Sequence, residues 1–333
     1  MRPSIPLLAA AALMPAIPSA AAAAPLAEQP PAIFEALRRA DLRLAIIGER
    51  LAVRNALLCH DRKPWLGMVI HTPEQYQPAV RADARAAFGF TSAVGVEAVV
   101  PGGPAARAGV ADNDALLAVA GQPLPQALPA DTARATTATR DATERLIAAL
   151  PASAPVTLTL RRAQIERTAQ ATPVAGCRAR FEIHFANEAA ADDEIVQIGA
   201  RYVDALDDEW LPAVVAHELA HIILRHRARM IAAGVRYGLL AEFGKSGRLH
   251  AQAEQEADRL SVYLLANAGY DPLLPARFWR GPGKDFDGGL LRSRIYPDRR
   301  ARAALLEAEA AKLAGAALPV NPALLALADQ PMR

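Results

Sequence analysis

His217 and His221 stand four residues apart, with Glu218 directly after the first, in the run Ala213-Val214-Val215-Ala216-His217-Glu218-Leu219-Ala220-His221-Ile222-Ile223. On a helix the two imidazoles share one face, stacked about one turn apart. Two such nitrogens can take two corners of a tetrahedral zinc site. Glu218 projects roughly 100° round the helix from His217, so it can reach an activated water without ligating the metal. Zinc lowers the pKa of its water towards ~7, and a neighbouring carboxylate takes the proton as the oxygen attacks a carbonyl carbon. With 7 histidines in 333 residues, composition alone produces the pattern in fewer than about 1 in 100 chains. A helix with two surface histidines would not account for ionisable groups set in so apolar a run, where desolvation is costly without a partner.

The elements that must position these groups are legible nearby. Asp207 and Asp208 offer N-cap oxygens to the histidine helix, and Pro212 suits a first turn. A second helix is expected over 249–268, closed by Gly269 ahead of Tyr270-Asp271-Pro272. It carries Glu254-Gln255-Glu256-Ala257-Asp258. Glu254 and Asp258 share a face, so one can bind the metal while the other accepts a hydrogen bond from a ligand histidine. By spacing alone Glu254 and Glu256 compete for the third ligand position. A metzincin arrangement fails, since Leu224 and Arg227 stand where it needs glycine and histidine. His226 is read as exposed near the helix end, where a cation suits the dipole; His184 and His250 are read as structural.

These residues resemble the M-forty-eight family of zinc metallopeptidases, the CAAX-prenyl-protease and HtpX-like group: His217-Glu218-Leu219-Ala220-His221, then Glu254-x-x-Ala257-Asp258, then Gly269-Tyr270-Asp271-Pro272. The resemblance covers about 175–310. It implies Glu254 as third zinc ligand, Asp258 as its support, one zinc ion per chain and Glu218 as general base. Where the family often has a His-Pro pair followed by arginine, this chain has Tyr296-Pro297 and then Arg302; both are carried as catalytic candidates, Tyr296 as a phenol able to donate to a developing oxyanion.

Upstream, Val94, Val96, Ala98 and Val100 alternate in strand fashion before Pro101-Gly102-Gly103-Pro104. With Ala105-Ala106-Arg107-Ala108-Gly109-Val110, Asp114 and Val119-Ala120-Gly121, this stretch is similar to a bacterial PDZ domain over 86–174. That resemblance implies pairing of an extended peptide or C-terminal tail with the sheet edge, with Phe88-Gly89-Phe90 placed as the carboxylate-holding loop. In the peptidase part, Ile195 to Ile198 are expected to supply substrate-binding backbone. A helix or helix pair is expected over 32–58 and loop and connector over 61–81, while the sequence leaves open whether 234–247, between the two ligand helices, form a lid.

Composition bounds the rest. The chain has 333 residues, net charge +2, 52% hydrophobic and 5% aromatic residues and 2 cysteines. That is room for two cores. Its near-neutral balance gives no electrostatic case for nucleic acid, and no serine-hydrolase, phosphate-loop or Cys-x-x-Cys motif occurs. Residues 1–24 read as a signal peptide, with a basic start, an apolar stretch and small residues at the cleavage region. No later segment reaches the ~18 apolar residues of a membrane span. In an exported protein Cys59 and Cys177 are candidates for a disulfide.

The expected organisation is an α+β chain: signal peptide 1–24, N-terminal helical segment and connector 25–85, PDZ-like domain 86–174, mainly helical gluzincin-type metallopeptidase domain with a small sheet 175–316, and C-terminal tail 317–333. The resemblances imply a zinc endopeptidase of protein quality control. It would be periplasmic, secreted or peripheral to the outer membrane, acting on misfolded or misassembled polypeptides. A chaperone-like or scaffolding protein with low or gated turnover is the alternative.

Overall fold

The structure, a computed structural model, describes residues 30–235, 244–286 and 298–332. The signal segment lies outside the described residues. Two hydrophobic cores organise the chain. The larger forms around helices α1 (Pro30–Arg54), α6 (Leu211–Ile223) and α8 (Gly244–Asn267), with Leu44, Leu51, Leu211, Leu219, Leu260 and Leu264 at its centre. Each helix turns an apolar stripe inward. Helix α6 is apolar on nearly every side because it lies inside this core. The helix read over 32–58 runs from Pro30 to Arg54, so the N-terminal segment belongs to the same core as the histidine helix.

The second core is a six-stranded antiparallel sheet in the order β2-β3-β4-β6-β7 with β5 on β4. Its strands are β2 (Met68–His71), β3 (Gly95–Val99), β4 (Ala115–Val119), β5 (Gln122–Pro123), β6 (Val156–Arg162) and β7 (Ile165–Ala171). Short α3 (Pro104–Arg107) and helix α4 (Ala138–Ala148) accompany it, and α2 (Arg81–Phe88) lies between β2 and β3 in the chain. Inward residues Ile70, Val96, Leu116, Leu158 and Leu160 alternate with outward ones, and Ile147 of α4 closes the core.

Residues 61–81, read as connector because of three prolines, contain two strands. The first, β1 (Arg62–Trp65), pairs antiparallel with β8 (Val174–Cys177), Arg62 opposite Cys177 and Trp65 opposite Val174. The β1–β8 pair joins the two chain segments that flank the smaller unit, and that unit takes in β2, upstream of residue 86. A Cys59–Cys177 disulfide, Cα atoms 5.4 Å apart, staples the end of this pair. Between β1 and β2 the chain turns at Gly67, whose φ is +71°. A side chain there would meet the Gly103 backbone at 3.1 Å.

The larger unit has its own three-stranded sheet, β10-β11-β9. Strand β9 is Arg180–His184, β10 is Ala190–Ala191 and β11 is Ile195–Gly199. Strand β11 is interior, parallel to β9 and antiparallel to β10. Helices α5 (Ala200–Ala205), α7 (His226–Ala232), α9 (Leu274–Arg280) and α10 (Arg299–Ala311) complete it. The C-terminal residues are docked: Met332 is buried against Val235, Leu249 and Ala253. Among the described residues no helix is long and apolar enough to cross a membrane.

Candidate metal centre

Neither aspartate occupies the N-cap of α6, which is Trp210; Asp207 closes the turn ahead of the helix, its Oδ1 accepting from the Glu209 and Trp210 amides at 3.0 and 3.3 Å. Asp208 instead pairs with Arg43 of α1. Packing of α6 against α8 then sets His217, His221 and Glu254 face to face. The Nε2 atoms of the two histidines are 3.2 Å apart. Glu254 lies 3.1 Å from Nε2 of His217 through Oε2 and 3.5 Å from Nε2 of His221 through Oε1. Around a zinc ion with bonds of 2.0–2.2 Å, ligand atoms of a tetrahedron sit about 3.3–3.6 Å apart. The three side chains therefore converge at a spacing that could hold such an ion, and among the described residues they form the one cluster of metal-binding type.

Each imidazole is oriented from behind. Nδ1 of His217 faces Oδ1 of Asp258 at 3.0 Å. Asp258 in turn accepts two hydrogen bonds from Arg302, at 2.8 and 2.7 Å, and that guanidinium lies 3.8 Å over the Trp279 ring. Nδ1 of His221 faces Nδ1 of His226 at 2.9 Å. His226 is 1% exposed, not at the surface as its place near the helix end suggested. On one continuous helix a residue five positions on would point about 140° away. Arg225, at φ +54°, breaks the helix and starts α7, which folds His226 back onto His221.

Electrostatics follow the contacts. Burial opposes the imidazolium of His217, but the hydrogen bonds it donates to Asp258 and Glu254 push its pKa up to about 10. Burial, with the charges of His217 and His226, takes His221 down to about 3. Against burial, His221 and His217 hold the Glu254 carboxyl far below the usual carboxylate range.

The cluster opens into a cavity of about 310 Å³. Glu218 lines it, along with Ala190 and Ala191 of β10 on one side and Tyr202, Phe278 and Phe286 on another. Strand β10, not the expected segment 195–198, is the sheet edge facing the cavity, because both edges of β11 are already paired. Arg302 also lines the cavity, and its Nε and Nη2 donate to Asp258. Tyr296 lies outside the described residues, as does part of the segment 234–247.

In the smaller unit the outer strands of the sheet are β2 and β7; β2 is preceded by the Leu66-Gly67 turn, which is tied to the Pro101–Pro104 loop by Val100 N–H to Gly67 O (2.9 Å) and Ala105 N–H to Leu66 O (2.7 Å). Phe88-Gly89-Phe90 lies away from that turn, against His71 at the far end of β2. Phe88 is buried, its ring 4.6 Å from His71 and 5.6 Å from Phe34, and Phe90 lies 4.3 Å from His71. Phe88 fastens α2 to α1 through Phe34, and Phe90 covers His71.

Residues 95–162 match the family model described as PDZ domain, and this part of the chain is a PDZ domain. No curated protein matches the chain. Among solved structures, the crystal structure of the HtrA3 PDZ domain bound to a phage-derived ligand (FGRWV) is similar at 19% identity and TM-score 0.25, over 34% of this chain and 89% of that one. The HtrA-type protease AlgW with a decapeptide is similar at 20% identity and TM-score 0.25, over 34% of this chain and 30% of that chain's length.

Proposed function

We propose that the chain is a zinc-dependent endopeptidase carrying a peptide-binding PDZ domain. The observation that carries this reading is the triangle of His217, His221 and Glu254 facing a cavity that Glu218 also lines. A zinc ion held by these three groups would polarise a peptide carbonyl and acidify a water molecule. Glu218 takes the proton of the attacking water on its carboxylate and returns it to the leaving amine. Asp258 and Arg302 hold His217 with Nε2 forward. The edge of β10 aligns an extended substrate by backbone hydrogen bonds. The likeness of the paired motifs to the M-forty-eight metallopeptidases supports the same assignment.

An exported location, as the apolar N-terminal segment implies, is supported by the Cys59–Cys177 bond, since such bonds persist in oxidising compartments. The outer edge of β2 supports binding of client peptides or tails. The purified protein is expected to hold one zinc ion per chain and to cleave unfolded casein. Glu218→Gln is expected to keep the metal and lose about 10²–10⁴ of the rate. A Glu218→Gln protein as active as the native one removes the assigned base. Zinc-free protein that still binds peptides would leave a client-binding protein.

A further inference from the structure

We propose that His226 and Glu256 are positioning residues that fix the tautomer and direction of His221. This rests on the zinc-peptidase reading of the site and concerns how one ligand of that site is held.

The proton pattern is forced from one end. Glu256 is buried and ion-paired with Arg229, and the Arg229 guanidinium and the Gln252 amide both donate to it, so its carboxylate is an acceptor only. Its Oε2 lies 3.0 Å from Nε2 of His226 and accepts from Arg229 Nη1 at 2.7 Å, while Oε1 accepts from Gln252 at 2.7 Å. Nε2 of His226 must therefore carry hydrogen and donate. In a neutral ring this leaves Nδ1 of His226 as an acceptor. The atom facing that acceptor at 2.9 Å is Nδ1 of His221, which must then be the donor. His221 is thereby left with a bare lone pair on Nε2, the atom aimed at His217 and Glu254.

The geometry is built rather than incidental. His226 and Glu256 are 1% and 6% exposed. The left-handed conformation at Arg225 is unfavourable for a non-glycine residue, and it is what brings His226 under His221. Arg229, which steadies Glu256, is itself anchored by donating Nε to the Gln330 carbonyl at 2.9 Å, so the docked C-terminal residues buttress the chain of bonds. His217 has a carboxylate behind it; His221 has an imidazole that relays to one.

The test uses the full-length protein and three variants. Chelator competition gives zinc affinity, the visible spectrum of the cobalt-substituted protein reports coordination geometry, and thermal unfolding of the metal-free protein reports the fold. His226→Leu is expected to weaken zinc binding about 10–100-fold and to change the cobalt bands. His226→Asn, whose Oδ1 can stand where Nδ1 stood, is expected to recover most of both. Glu256→Gln, which keeps the size and gives up the charge, is expected to lose less than His226→Leu. Native zinc affinity and cobalt bands in His226→Leu would overturn the proposal. So would losses that track metal-free stability and are not recovered by His226→Asn. A native protein that binds zinc but cleaves no peptide would sink the peptidase reading and leave this one standing.

Discussion

Asp258 accepts both arms of the Arg302 guanidinium, at 2.7 and 2.8 Å, while the same carboxylate faces Nδ1 of His217 at 3.0 Å. Both partners are buried, Asp258 at 3% and Arg302 at 6% exposed. Breaking such a pair leaves an uncompensated charge in the interior, at about 3–5 kcal/mol. Arg302→Met is therefore expected to lower the thermal midpoint and to weaken zinc binding about tenfold, because Asp258 loses its orientation. Arg302→Lys keeps charge without the two-pronged fit and should fall between. Calorimetry and chelator competition on the two variants check this.

Much of the candidate metal centre was legible because its groups obey one period. His217, Glu218 and His221 on α6, and Glu254 and Asp258 on α8, need only helical spacing to be placed on faces. His226 was misplaced for a physical reason. No sequence pattern announces that Arg225 leaves the helical region, and the reversal converts a residue on the far side into a partner of His221. The edge strand β10 is two residues long, below the length at which alternation can be seen. In the smaller unit, β2 sits among Pro64, Pro73 and Pro78, which argue for loop one residue at a time. What makes it a strand is pairing with β3, a contact made across the fold.

A buried carboxyl pair should make stability depend on pH. Burial raises Asp41 of α1 to about 6, and its hydrogen-bonded neighbour Glu97 of β3 lies well above the carboxylate range. A group whose folded pKa is raised binds its proton more tightly in the folded state. Its contribution is complete below the unfolded value of 3.8 and is lost as pH rises through about 6. The loss is at most about 3 kcal/mol. Asp41→Asn removes the charge that forms, so the midpoint of the variant minus that of the native protein should be more positive at pH 8 than at pH 5. An equal difference at both pH values would mean that Asp41 does not titrate there.

The Cys59–Cys177 bond closes a loop of 118 residues that contains the whole six-stranded sheet. Closing a loop of that length restricts the unfolded chain by about 5 kcal/mol in the chain-entropy account. The double variant Cys59→Ser/Cys177→Ser should unfold at lower denaturant than the oxidised protein, and reductant should shift the native protein the same way. The bond sits at the end of the β1–β8 pairing, so the loss should also appear as faster amide exchange at 62–65 and 174–177.

The edge of β10 gives the most direct test of how substrate is held. The amide of Asp192 donates to the Ile195 carbonyl at 3.0 Å, towards β11. Backbone groups alternate along a strand, so the N–H of Ala191 points the other way, towards the cavity that Ala191 lines. A peptide lying antiparallel to this edge would accept a hydrogen bond from it. Ala191→Pro deletes that donor at an edge position, where proline is tolerated. One hydrogen bond contributes about 0.5–1.5 kcal/mol, so KM should rise several-fold while zinc content and thermal midpoint stay near native. Since the deleted bond serves binding and not proton transfer, kcat should change less than KM. A variant with native KM would show that substrate does not use this edge.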